Sequence, residues 1–212
     1  MQVQVFTVGP FSTNCYIVSC KETQEAIIID PGFDEPSEAE KIFKFMDKNC
    51  IKLKIIANTH GHPDHTCGNG LIKNKFNATI AIHKNDAPLI GPLSRLNAEN
   101  FGFSNFSPPA DLLLQEGDLI TFGKETLKVI ETPGHTRGSI SLIGKDKIFT
   151  GDTLFAGSIG RTDFSESSEK EMKLSLEKLK TMHDSLTVYP GHGPITKLGK
   201  EKITNPFLTG LL

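Results

Sequence analysis

The sequence predicts an α+β fold in which two β-sheets pack face to face with helices outside them. Three observations carry that expectation. Strand-like runs alternate with helix-like runs along the chain. The two halves share a weak pattern of strands, an acidic turn, a helix, and a strand ending at a histidine; compare Ile27-Ile28-Ile29-Asp30-Pro31-Gly32 with Ile148-Phe149-Thr150-Gly151-Asp152. Four strand ends each deliver a metal-capable side chain on a tight turn, and two packed sheets would set those ends along one edge.

The elements follow in order. Residues 1–8, 14–19 and 25–30 read as strands, the third closed by Asp30-Pro31-Gly32. Ser37-Glu38-Ala39-Glu40 fits a capping box, and Ala39, Ile42, Phe43 and Met46 then keep helical spacing to about Lys48. Residues 51–57 are apolar and β-branched enough for a buried strand, 67–74 predict a second helix, and 79–83 a short strand. Residues 118–122, 126–131, 139–143 and 147–150 predict four more strands. Ser168-Glu169-Lys170-Glu171 is another capping box, opening a helix with Met172, Leu176, Leu179 and Met182 on one face; 187–189 is the last strand. Residues 84–110 break the alternation with four prolines and with Phe101, Phe103 and Phe106. They read either as a surface excursion whose aromatics tuck into the core or as a wall of a site.

Bulk properties exclude several classes. The 212 residues fit one domain spanning the chain, with ample length for a core. The net charge is −2, and no basic block or aromatic stripe suggests a nucleic-acid face. The longest apolar stretches are strand-sized, so no membrane span is expected, and the first residues lack a signal peptide's basic start and apolar core. Cytoplasmic residence is the default expectation. Cys15, Cys20, Cys50 and Cys67 form no CxxC pair. Cys15 and Cys50 read as buried packing residues, and Cys67 as packing behind the site.

The site is announced by Asn58-Thr59-His60-Gly61-His62-Pro63-Asp64-His65, with three imidazoles and a carboxylate in six residues. Such groups suit zinc, and also iron or manganese. Three further turns add His135, Asp152 and His192. These seven residues can be divided between two ions: His60, His62 and His135 around one, Asp64, His65 and His192 around the other, with Asp152 as a bridge. A two-oxygen carboxylate suits the ~3.5–4 Å separation of two-metal hydrolases, which leave a position for an acidified water.

Thr59-His60-Gly61-His62-Pro63-Asp64-His65 resembles the Thr-His-x-His-x-Asp-His signature of the metallo-β-lactamase superfamily. The likeness extends over nearly the whole chain, through Asn14-Cys15-Tyr16, Asp30-Pro31-Gly32, Thr132-Pro133-Gly134-His135-Thr136, Thr150-Gly151-Asp152-Thr153-Leu154-Phe155 and Tyr189-Pro190-Gly191-His192. The resemblance implies a four-layer αβ/βα sandwich with a two-metal site at the sheet edge and the ligand division just given. Aspartate at 152 argues against a zinc β-lactamase, which typically has cysteine there. The stretch around it resembles the glyoxalase II branch, which hydrolyses S-lactoylglutathione. The chain is similar to the short form of that branch, without the C-terminal helical domain that carries basic residues for glutathione.

The resemblance implies a binuclear hydrolase of acyl-thioesters, with zinc the first expectation and a small molecule as its partner. Asp64 would ligate, orient and take a proton. The alternative is a persulfide dioxygenase with one iron on His60, His135 and Asp152, because Gly160-Arg161-Thr162-Asp163-Phe164 resembles a stretch of that family. A nuclease of the superfamily fits less well. Phe101, Phe103 and Arg161 are candidates for contact with substrate, Arg161 alternatively pairing with Asp163 in a buried ion pair. Asp30 reads as a support behind the ligand loops, His83 as a surface or capping residue, and His183 as a helix-end residue.

Overall fold

A computed structural model describes residues 1–210. Its elements are β1 (Gln2–Val8), β2 (Thr13–Ser19), β3 (Glu25–Ile29), α1 (Pro36–Lys48), β4 (Lys52–Ala57), α2 (Pro63–Thr66), α3 (Asn69–Phe76) and β5 (Thr79–His83). Then come α4 (Arg95–Asn100), β6 (Leu112–Leu114), β7 (Leu119–Phe122), β8 (Glu125–Glu131), β9 (Ile140–Ile143), β10 (Lys147–Gly151), β11 (Leu154–Phe155) and β12 (Ser158–Ile159). The chain closes with α5 (Glu169–Lys180), β13 (Thr187–Pro190), β14 (Thr196–Lys197), α6 (Leu198–Thr204) and α7 (Pro206–Thr209).

One sheet runs β1-β2-β3-β4-β5-β6 and the other β14-β13-β10-β9-β8-β7. The period of two along each strand sorts side chains between layers. Ile27 and Ile29 of β3 join Tyr16, Phe122, Val129, Leu142 and Phe149 between the sheets, while Ile28 faces α1 and α3 with Ile42, Met46 and Ile72. On the far side, Ile148 and Val188 meet Met172, Leu176 and Leu179 of α5. The layers are therefore helix, sheet, sheet, helix, the expected α+β sandwich. The half-repeat becomes two parallel crossovers, β3-α1-β4 and β10-α5-β13, and each second strand ends beside a histidine turn.

Several local expectations are corrected. Pro36 sits in the first turn of α1, so the helix starts one residue before the Ser37 box, with Glu35 as cap and no side-chain cap bond. The Ser168 box half-forms: the Glu171 amide donates to Ser168 Oγ at 3.3 Å. Residues 67–74 divide between the end of a short α2 and α3, because the ligand loop enters through Pro63 as a turn of helix. Cys50 is exposed, placed after α1 in the left-handed region at φ 52°. His83 is buried rather than on the surface, with Nε2 2.8 Å from Glu131 Oε1. Cys67 does pack behind the site, with Ala98 and Phe103.

Candidate metal centre

The edge where β4, β8, β10 and β13 end gathers all seven expected residues. Ligand atoms of His60, His62 and His135 lie within 4.8 Å of one another, as do those of Asp64, His65 and His192. Within the first group His135 Nε2 faces His62 Nδ1 at 2.9 Å. Within the second, Asp64 Oδ2 is 3.4 Å from both His65 Nε2 and His192 Nε2, which are 3.2 Å apart. Asp152 stands between the groups, with Oδ2 3.6 Å from His135 Nε2 and 3.5 Å from His192 Nε2, and Oδ1 3.4 Å from His65 Nε2.

Every imidazole has its other nitrogen held from behind, which fixes the inward one as the free lone pair. Thr59 Oγ1 donates to Asp30 Oδ2 at 2.6 Å, so it accepts from His60 Nδ1 at 3.1 Å. His65 Nδ1 donates to Asp30 Oδ2 at 3.0 Å, His135 Nδ1 to the Arg161 carbonyl at 2.9 Å, and His192 Nδ1 to the Phe11 carbonyl at 3.1 Å. His62 Nε2 lies 3.1 Å from Glu166 Oε1. The inward nitrogens are left facing one another, and acceptor against acceptor at such distances is repulsive unless a cation or proton lies between. His60 Nε2 and Asp152 Oδ1 are buried with no hydrogen-bond partner among the described residues. Ligands bound at about 2.0–2.2 Å around one ion sit roughly 3–3.5 Å from each other, close to the separations found here. The donor set therefore fits divalent metal ions.

The two groups differ electrically. Burial and the surrounding imidazoles push His60 well below the ordinary histidine range, and burial lowers His135. Burial also opposes charge on His65, but Asp64, Asp152 and Asp30 outweigh it and raise that histidine to about 9. His192, again against burial, is raised to about 10 by Asp152 and Asp64. Burial alone would raise Asp64; His65 and His192 instead hold it below the usual carboxylate range. Without metal, His60 and His135 are thus held toward the neutral form, and the second group keeps protons that an entering ion must displace.

Other residues build the frame. Asp30 adopts a left-handed conformation, φ 50°, which turns its carboxylate under Thr59 and His65 as the sequence suggested. A Cβ at Gly32 would lie 1.6 Å from the Asp64 carbonyl, and one at Gly191 would lie 2.1 Å from Asp152 Oδ1, so these turns approach the ligands only as glycine. Three supports escaped the sequence reading. Glu166 braces His62, the Phe11 carbonyl braces His192, and buried Asp86 accepts from the Gly61 amide, Thr136 Oγ1 and the Gly138 amide, tying two ligand loops together. None of the three had a local motif to mark it.

A cavity of about 490 Å³ opens onto His62, Asp64, His135, Asp152 and His192. Phe11, Phe101, Phe155 and Phe164 supply its apolar walls, and Arg161 stands at its lip. Phe101 therefore has the place expected of it. Phe103 does not: it is buried under Phe11, ring centroids 5.9 Å apart, and does not line the cavity. The Arg161–Asp163 pair is exposed rather than buried.

The chain matches the metallo-beta-lactamase superfamily over residues 8–192. Hydroxyacylglutathione hydrolase GloC of Haemophilus influenzae is 34% identical over 98% of each chain. Among solved structures, BLEG-1, described as a B3 metallo-beta-lactamase, superposes with a TM-score of 0.88 at 30% identity, covering 99% of this chain and 100% of that one. TTHA1623 in a di-iron-bound form gives 0.86 at 34% identity, with 97% and 100% covered. Family match, sandwich and histidine–aspartate groups agree on a metal-dependent hydrolase frame: the chain belongs to the metallo-beta-lactamase superfamily.

Proposed function

We propose that this chain hydrolyses acyl-thioesters with two divalent metal ions, and that S-lactoylglutathione, split to glutathione and lactate, is the first substrate to test. The observation that carries the reading is the Asp152 carboxylate, which lies within 3.6 Å of ring nitrogens from both ligand groups. A carboxylate so placed suits a pair of ions rather than one. The di-iron form of TTHA1623 and the name of GloC support the ion count and the substrate class. Zinc is the ion to try first, and the nitrogen and oxygen donors also suit iron and manganese.

Ions bound here would supply an acidified water and a Lewis acid for the thioester carbonyl. The chain's own residues do the rest. The phenylalanine walls displace solvent from around the thioester. Asp64 lines the cavity and is partly exposed, so its carboxylate can accept the attacking hydroxyl's proton as the tetrahedral intermediate collapses and the thiolate leaves. A thiolate is a good leaving group and needs no proton donor. The substrate is a small molecule on this reading and the enzyme cytoplasmic; no helix among the described residues is long and apolar enough to cross a membrane.

A second reading, the one-iron persulfide dioxygenase on His60, His135 and Asp152, keeps one observation in its favour. Gly160, Arg161 and Phe164 of the stretch that resembles that family do line the cavity. The deciding experiment is thiol release from S-lactoylglutathione by metal-replete protein beside Asp64→Ala. Release that the substitution abolishes supports the hydrolase. No release, with oxygen uptake on glutathione persulfide, replaces it with the oxygenase. Turnover of a β-lactam faster than of any thioester would move the assignment toward the activity in BLEG-1's name.

A further inference from the structure

The cavity has an uneven wall. Apart from the histidines of the metal groups, Arg161 is the single basic side chain among the described residues that lines it, set among Phe11, Phe101, Phe155 and Phe164. Its position is built rather than incidental. The Arg161 carbonyl accepts from His135 Nδ1 at 2.9 Å, so the backbone is tied directly behind a ligand histidine. The guanidinium lies over the Phe164 ring, 4.2 Å from its centroid, and that ring packs edge-on against His62 at 5.3 Å. Asp163 takes the Nε and Nη2 hydrogens at 2.6 and 2.7 Å.

A guanidinium has five N–H donors in a rigid fork. Asp163 uses one from Nε and one from Nη2, which leaves both Nη1 hydrogens and the second Nη2 hydrogen free. We propose that this free edge of Arg161 is the subsite for one carboxylate on the thiol part of the substrate, with Asp163 and Phe164 holding the fork in place. The proposal rests on the thioester hydrolase reading and narrows it. Glutathione has two carboxylates, whereas the lining offers one guanidinium. The site therefore reads a single carboxylate, and a thioester of a simpler monocarboxylate thiol meets the same recognition.

The experiment compares three lactoyl thioesters on metal-replete protein: of glutathione, of N-acetylcysteine with one carboxylate, and of N-acetylcysteamine with none. Expected kcat/KM values for the first two agree within about threefold, and both exceed the third by tenfold or more, as a hydrogen-bonded charge contact predicts. In Arg161→Gln the ratio between carboxylate and carboxylate-free substrates falls to about threefold or less, through KM, with metal content equal to the parent's. Arg161→Lys keeps the charge without the fork and recovers only part of the ratio. Equal rates for all three thioesters in the parent, or an unchanged ratio in Arg161→Gln, overturn the subsite while leaving the hydrolase standing. A glutathione thioester preferred tenfold over the N-acetylcysteine one shows a second carboxylate being read and also overturns it. No thiol release from any of the three rejects the hydrolase reading itself, and the subsite with it.

Discussion

The two ligand groups are assembled from the same side-chain types and yet are different environments. His60, His62 and His135 are buried and braced by Thr59, Glu166 and the Arg161 carbonyl, and burial pushes His60 and His135 toward neutrality. His65 is equally buried, but its partners Asp64 and His192 are 18% and 24% exposed at the cavity, and three carboxylates keep protons on that side. Net charge beside a ligand, more than ligand identity, sets what an ion must displace in order to bind. The first group is ready for a cation, and the second must give up protons first.

The largest expected effect comes from removing what the groups share. Asp152→Ala should lower bound metal from two ions toward one and cut kcat by roughly a thousandfold or more, read by elemental analysis and thiol release. Full metal with full activity would sink the bridge. Next, Asp30→Ala removes the brace behind both His60 and His65, and metal affinity measured by chelator competition should fall about 10–100-fold. His192→Ala should abolish the weaker of two chelation phases and spare the tighter, whereas His60→Ala should weaken the tighter; identical effects would erase the distinction between the groups.

The pH dependence sharpens the same contrast. His65 and His192 are raised to about 9 and about 10, so the facing pair, with Nε2 atoms 3.2 Å apart, keeps protons in metal-free protein at neutral pH. Metal replaces those protons, so affinity for the second ion should rise from pH 6 to 9, approaching tenfold per pH unit for each proton released. His60 is already neutral there, so affinity for the first ion should change little above pH 7. Titrations at several pH values with a competing chelator would show one steep and one shallow profile. The smallest effect belongs to Glu166→Gln, which keeps a hydrogen-bonding side chain near His62 and should weaken only the first ion, by less than about tenfold.

What was legible in the sequence was what chemistry writes locally. Thr59 to His65 announces itself within one turn, and the glycine and proline punctuation at 133–135, 151–152 and 190–192 marks strand ends without any tertiary knowledge. The alternating isoleucines of β3 likewise fix which face meets the other sheet. The supports were illegible because their partners are remote: Glu166 reaches His62 across 104 positions, and the Phe11 carbonyl reaches His192 across 181. A backbone carbonyl has no sequence signature at all. β6 was missed for another reason, since Leu112–Leu114 is too short for a period to emerge and becomes a strand only by pairing with β5. Phe103 and His83 show the converse error, in which residues with no local partner are buried by elements far away in the chain.

The first hairpin grips the last ligand turn more tightly than His192 alone requires. The Asn14 amide donates to the Gly191 carbonyl at 2.7 Å, Asn14 Nδ2 to the Pro190 and Gly193 carbonyls at 3.1 and 2.8 Å, and Tyr16 Oη to the Pro190 carbonyl at 2.6 Å. On a ribosome the three histidines of the first group have all been synthesised once residue 135 has emerged, while the second group waits until residue 192 comes back to meet the amino-terminal hairpin. On the two-ion reading, occupancy of that second position would be a molecular receipt for finished folding, because its ligand His192 is in place only when the last ligand turn has met the amino-terminal hairpin.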